Sequence, residues 1–208
     1  MAAILTSLRN TVIAGFVLAA LLLIMYLNTQ TAAGFTMAEA LSKPFWAFIF
    51  RWLHVASGVM WIGLLWYFNF VQIPNMPKIP DEQKPAIGKV IAPAALFWFR
   101  WGAMSTIVTG IILAHLNGYL LEAYTLGALD GFVVPKYTAI GIGMWLGTIM
   151  WFNVWFVIWP NQKIALGLID APADQKPKAA RTAMLFSRTN TLLSIPMLFA
   201  MVSAQNIY

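Results

Sequence analysis

Cysteine is absent from this chain of 208 residues. That excludes disulfides, thiolate metal centres, iron–sulfur clusters and covalently attached c-type haem. Charge is scarce as well: Asp, Glu, Lys and Arg make up 10% of the sequence, against roughly 25% in a soluble domain. All 7 acidic residues fall outside the long apolar runs. No acid–base pair is therefore embedded in a span, and no ion-pair relay of the kind a transporter needs crosses the apolar region. Histidine is scarcest: His54 and His115 are the two in the chain.

What is present is apolar side chain, 61% of residues, with a mean hydropathy of +0.74. It is gathered into runs long enough to cross ~30 Å of hydrocarbon at ~1.5 Å per residue. None alternates with the period of two that a membrane β-barrel strand shows. The runs predict five helical spans, at about 10–27, 44–73, 90–121, 136–159 and 182–204. Pro44 suits the N-terminus of the second. Arg9 before the first run gives it the look of a signal peptide, but no small-residue cleavage motif follows and the run is long, so it reads as a retained anchor. A polar joint over 29–43 has room for a short interfacial helix. The expected fold class is an all-α integral membrane protein with a single domain, 1–208. Within it are an N-terminal span (10–28) and two hairpins (44–121 and 136–204) forming a four-helix bundle, with the first span packed outside.

The net charge of +6 does not point to nucleic acid. The basic residues sit in the joints between spans, as membrane topology requires. Arg9, Lys78, Lys84, Lys89, Lys163, Lys176, Lys178 and Arg181 fall on one side, and Lys43 and Lys136 on the other. This asymmetry puts the N-terminus in the cytoplasm and the C-terminus outside.

The two hairpins repeat. Met60-Trp61-Ile62-Gly63 with Phe68-Asn69 matches Met144-Trp145-Leu146-Gly147 with Phe152-Asn153. Gln83-Lys84-Pro85 matches Gln175-Lys176-Pro177, and Phe97 to Arg100 parallels Leu185 to Arg188. A parallel repeat about an axis along the membrane normal follows. It places Asn69, Asn153, Arg100 and Arg188 in the cytoplasmic half. Their bland role is structural, with Asn oxygens on neighbouring helices partnering the arginines. Their functional role would be a polar inner pocket or a quinone headgroup site.

The histidines lie in adjacent antiparallel spans at matching depth in the outer half. That arrangement suits bis-histidine ligation of one haem b, two neutral imidazoles on one iron. Gly58, one turn from His54, leaves room for a porphyrin edge, and Gly110 and Gly118 flank His115. Arg51 stands where propionates would point, and Trp52, Trp61 and Trp145 can wall the ring. The competing reading is a pair of interhelical hydrogen-bonding histidines with lipid-facing aromatics. The repeat sets Thr138 and about Ser203 opposite the histidines, so one haem is the natural count.

The stretch Arg51-Trp52-Leu53-His54-Val55-Ala56-Ser57-Gly58-Val59-Met60-Trp61-Ile62-Gly63 resembles the signature of the membrane domain at the N-terminus of bacterial membrane-bound urate hydroxylases. Those proteins carry a cytochrome c domain behind it, and no Cys-x-x-Cys-His for one occurs here. Related His-bearing bundles are the copper-resistance D family and the membrane protoporphyrinogen oxidases. The resemblance is strong over the second span and weaker beyond it. It implies a bacterial inner membrane location and maps the family's histidine onto His54.

Three functions are expected from these readings. The first is a haem b subunit that exchanges electrons with a periplasmic partner such as a cytochrome c. The second is a urate hydroxylase-like oxidase. The third is a non-catalytic accessory subunit of a larger membrane complex. Each is compatible with a homo-oligomer, and another tetrapyrrole could replace haem.

Overall fold

The computed structural model describes residues 2–30 and 37–208. The described residues are helical, with no strand among them. Five helices are long and apolar enough to cross a membrane: Leu8–Leu27, Lys43–Lys78, Lys84–Leu116, Pro135–Ala165 and Gln175–Asn206. The protein is thus an all-α membrane protein, as its apolar runs require.

The chain divides into two compact units, Met1–Trp46 and Ala47–Tyr208. The first contains α1 (Leu8–Gln30), whose first turn is capped by the Ser7 hydroxyl accepting from the Asn10 amide at 3.5 Å and whose apolar residues lie all around its circumference, as in a lipid-embedded helix. The expected interfacial helix in the joint is reduced to one turn, Met37–Ala40, and residues 31–36 of that joint lie outside the described residues.

The second unit holds the four remaining spans. α2 (Lys43–Trp66) enters it and continues through a π-helical segment, Tyr67–Gln72. A second π segment, Ile87–Ile91, leads into α3 (Ala92–Leu116). A short helix α4 (Leu120–Tyr124) follows. Next come α5 (Pro135–Phe152), a third π segment (Asn153–Ile158) and α6 (Trp159–Ala165). α7 (Gln175–Asn206) closes the unit.

The π segments have a cause in the sequence. A proline inside a helix lacks the amide that would bond the carbonyl four residues earlier, and its ring pushes that carbonyl away. Pro74, Pro93 and Pro160 displace the carbonyls of Phe70, Lys89 and Phe156, and each of these three residues lies inside a π segment. Widening the turn absorbs the clash without ending the helix. Since spans two and three run antiparallel, all three wide turns gather at one end of the bundle, here called the π end.

Several boundaries differ from the sequence expectation: the second span runs on to Lys78 and the fourth to Ala165, the third covers Lys84–Leu116, and the fifth starts early. The last span begins at Gln175, not near 182, because Pro177 is tolerated in a first turn and Lys178 to Arg181 are good helix formers that need no apolar run. The third span ends at Leu116, not 121. There Gly118 takes a positive φ of 76°, and the Tyr119 amide bonds back to the Ala114 carbonyl at 3.2 Å, which caps α3.

All four spans of the unit supply the core. Trp61, Leu65, Phe99, Met150, Val154 and Ile158 are each at most 1% exposed. Phe68 meets Phe99 edge-on at 5.6 Å, and Trp101 meets Trp155 at 5.5 Å. Lipid is as apolar as leucine, so close packing and interhelical hydrogen bonds must hold such a bundle. Both are present. Apart from Met197, the buried stripe of α7 consists of Ala179, Ala183, Ser187, Asn190, Ser194, Ala200, Ser203 and Ala204, small enough for backbones to approach. Across it, Trp66 Nε1 donates to Ser194 Oγ at 3.0 Å and Asn69 Nδ2 to Ser187 Oγ at 2.8 Å. Asn153 Nδ2 donates to Asn190 Oδ1, and Asn190 Nδ2 to the Met150 carbonyl, both at 2.9 Å.

Candidate functional site

His54 lies on the side of α2 that meets α3. Its Nδ1 is 2.9 Å from the main-chain oxygen of Thr106. A carbonyl only accepts, so Nδ1 carries the proton and Nε2 keeps its lone pair. The ring rests on Gly110, where a Cβ would stand 2.8 Å from the imidazole Cε1. Glycine at that position is what lets the imidazole reach between the helices. An imidazole whose Nδ1–H is fixed on a carbonyl, leaving Nε2 free, is the usual posture of a metal-binding histidine.

His115 is placed differently. It lies five residues beyond Gly110 on α3, ~7.5 Å further along the axis and about 140° around it. That takes it off the buried face formed by Phe99, Ala103, Thr106 and Leu113, and its side chain is exposed. The two imidazoles thus do not face one another across the α2–α3 contact. As donors to a haem iron, they offer one oriented ligand, His54, and one outward-facing residue.

The supporting residues divide likewise. Gly58 is half-buried, and a Cβ on it would meet only the Thr106 methyl, at 4.0 Å. Arg51 is exposed, and its charge acts on the Tyr119 phenol. Trp61 is a core residue, 1% exposed, whose indole N–H has no partner. It packs where Gly102 brings α3 against α2, with the space for a Gly102 Cβ lying 3.3 Å from the Trp61 amide nitrogen. Trp52 and Trp145 are exposed, and Trp145 Nε1 donates to the Tyr124 carbonyl at 2.9 Å. Of the residues matching the histidines in the repeat, Thr138 donates to the Leu126 carbonyl and Ser203 to that of Ala200.

At the π end the asparagines pair with the serine and asparagine of α7, not with the arginines. Arg100 finds Trp159 instead, its guanidinium carbon 3.2 Å from the ring centroid. A desolvated cation over an indole face is worth about 2 kcal/mol, which answers the burial cost that an asparagine was expected to meet. Its Nη1 remains buried without a hydrogen-bond partner. Arg188, its counterpart in the repeat, is exposed. Sequence reading missed Trp159 because the partner lies on another span outside the repeated motifs. It missed Thr106 because the acceptor is main chain.

A family model described as urate oxidase N-terminal matches residues 130–207. That stretch is the second hairpin. Arg51–Gly63, whose residues resemble the family's signature, lies outside it, while the repeat copy Met144–Gly147 lies within it. No curated protein and no solved structure matches the chain. Through its second hairpin, this membrane protein is similar to the urate oxidase N-terminal family.

Proposed function

We propose that the chain is a haem b-binding membrane protein of electron transfer, in which His54 would hold the iron. The observation that carries this is the His54 Nδ1–Thr106 contact of 2.9 Å, which fixes the tautomer and holds Nε2 ready to ligate. A haem bound there would supply one-electron redox chemistry. The chain's own part is to hold the ring of His54 in place through Thr106 and Gly110, and to surround it with apolar helices. Arg51, one turn away, would face a propionate. The expected topology places the N-terminus in the cytoplasm of a bacterial inner membrane. His54 then lies in the periplasmic half, where a cytochrome c or a periplasmic dehydrogenase could exchange electrons with it.

The deciding measurement is the dithionite-reduced spectrum of the purified protein. A b-type signal that disappears in His54→Ala is expected. Its retention in that variant would end the proposal. The His115→Ala spectrum separates two ligation schemes. Conversion from low to high spin means that His115 is the second ligand, which requires the outer turn of α3 to rotate inward. An unchanged spectrum means that His54 is the sole histidine ligand. The family description supplies a second reading, oxidation of urate. Turnover of urate by the purified chain would favour it.

A further inference from the structure

At the π end, spans two to five line a half-open cavity of about 180 Å³. Phe68, Phe99 and Met184 contribute to its apolar wall, and Gln72, Gln162 and Ser187 are its polar groups. The amide oxygens of Gln72 and Gln162 are both cut off from solvent and both lack a hydrogen-bond partner. Leaving a buried acceptor unpaired costs about 1–3 kcal/mol, and both glutamines belong to the cavity lining, so a side-chain amide that turns toward the cavity would gain a partner from a ligand there. A third unpaired oxygen, Asn69 Oδ1, lies three residues before Gln72, on a side chain that is 9% exposed. The amide nitrogen of Asn69 is held by Ser187 of the cavity wall.

Size and polarity narrow the class of occupant. An apolar cavity of ~150 Å³ takes up benzene, whereas drug-sized ligands need ~300–1,000 Å³. This cavity therefore suits one six-membered ring with small substituents. Two acceptors on an otherwise apolar wall ask for a flat ring bearing two hydroxyls. A glutamine amide can also turn its NH₂ inward, so the same pair would donate to the two carbonyls of the oxidised ring. Bilayers contain such rings on lipid tails, and the exposed Ala180 on the cavity wall leaves a way in from outside the bundle. We propose that this cavity binds the ring of a membrane hydroquinone or its quinone, with Gln72 and Gln162 as the hydrogen-bonding residues. The proposal does not depend on the haem, since His54 lies in the other half of the bundle.

The test uses the full chain in nanodiscs titrated with decylubiquinone, together with Gln72→Leu and Gln162→Leu variants whose folding is checked by thermal melting. Saturable binding is expected, weakened about tenfold by each substitution and unchanged in Ser57→Ala. Absence of saturable binding, or an affinity in both glutamine variants equal to that of the unaltered chain, overturns the proposal. So does tighter binding of urate or of tail-free hydroquinone, which would assign the cavity to a soluble ring. A photoreactive azidoquinone on the unaltered chain removes dependence on the variants. It should label within residues 67–73, 92–99 or 162–187, and labelling confined to other segments refutes the site.

Discussion

The Nδ1 of His54 and the main-chain oxygen of Thr106 stand 2.9 Å apart, joining α2 to α3 through an acceptor that no substitution of residue 106 can delete. The contact depends on the room left by Gly110. In Gly110→Ala the new methyl carbon would sit 2.8 Å from the imidazole Cε1, so the ring or α3 must move. Overpacking of this kind costs about 1–3 kcal/mol. The expected result is a lower melting temperature together with a changed ¹⁵N shift for one of the two imidazoles. Unaltered shifts would mean that the ring does not rest on Gly110.

Tyr119 offers an electrostatic check outside the spans. Burial pushes its phenol above the ordinary value, while the charge of Arg51 and a hydrogen bond with the Asn117 side chain pull it back. The native state thus holds this proton where the unfolded chain has lost it. Stability from this group is fully present below about pH 10 and declines as pH rises further, because the native state then binds more protons than the unfolded one. Arg51→Gln removes one of the two downward pulls, so ionisation at 295 nm should shift to higher pH. A shift to lower pH would contradict the pairing.

The asparagine pair tests what holds the spans together. Asn190 is 0% exposed, and it both accepts from Asn153 and donates to the Met150 carbonyl. Membrane hydrogen bonds between helices average about 0.6 kcal/mol and reach about 1.7. Asn190→Ala forfeits two of them and should cost about 1–3 kcal/mol in mixed-micelle unfolding. Thr189→Ala, one residue away, loses only an exposed bond to its own helix and should cost far less.

The five spans were legible because hydropathy acts locally, whereas the asparagines' partners Ser187 and Asn190 lie on another span and were not. The π segments were legible in principle from Pro74, Pro93 and Pro160, whose displaced carbonyls sit four residues upstream. The facing of His115 was harder. Matching depth on neighbouring helices does not fix azimuth, and a residue five positions from a contact glycine lies nearly opposite it. Gln72 and Gln162 escaped notice for a related reason. They occupy unrelated positions in the repeat and meet only through the packing of spans two and four around one cavity.

Two glycines separate tight packing from mere helix composition. A Cβ on Gly141 of α5 would collide with the Ala123 carbonyl of α4 and would also stand 3.0 Å from the Ala123 carbonyl carbon. Backbone cannot swing aside as a side chain can, so Gly141→Ala must separate the two helices. It should also strain the neighbouring bonds of Tyr124 to Trp145 and Thr148. Gly63 of α2 has nothing within 4 Å of its would-be Cβ. Gly63→Ala should stabilise or leave the fold unchanged, since alanine is favoured in a helix by up to about 1 kcal/mol. Opposite signs for the two substitutions in thermal melting are expected. Equal tolerance of both would show that α4 does not pack on α5 through Gly141.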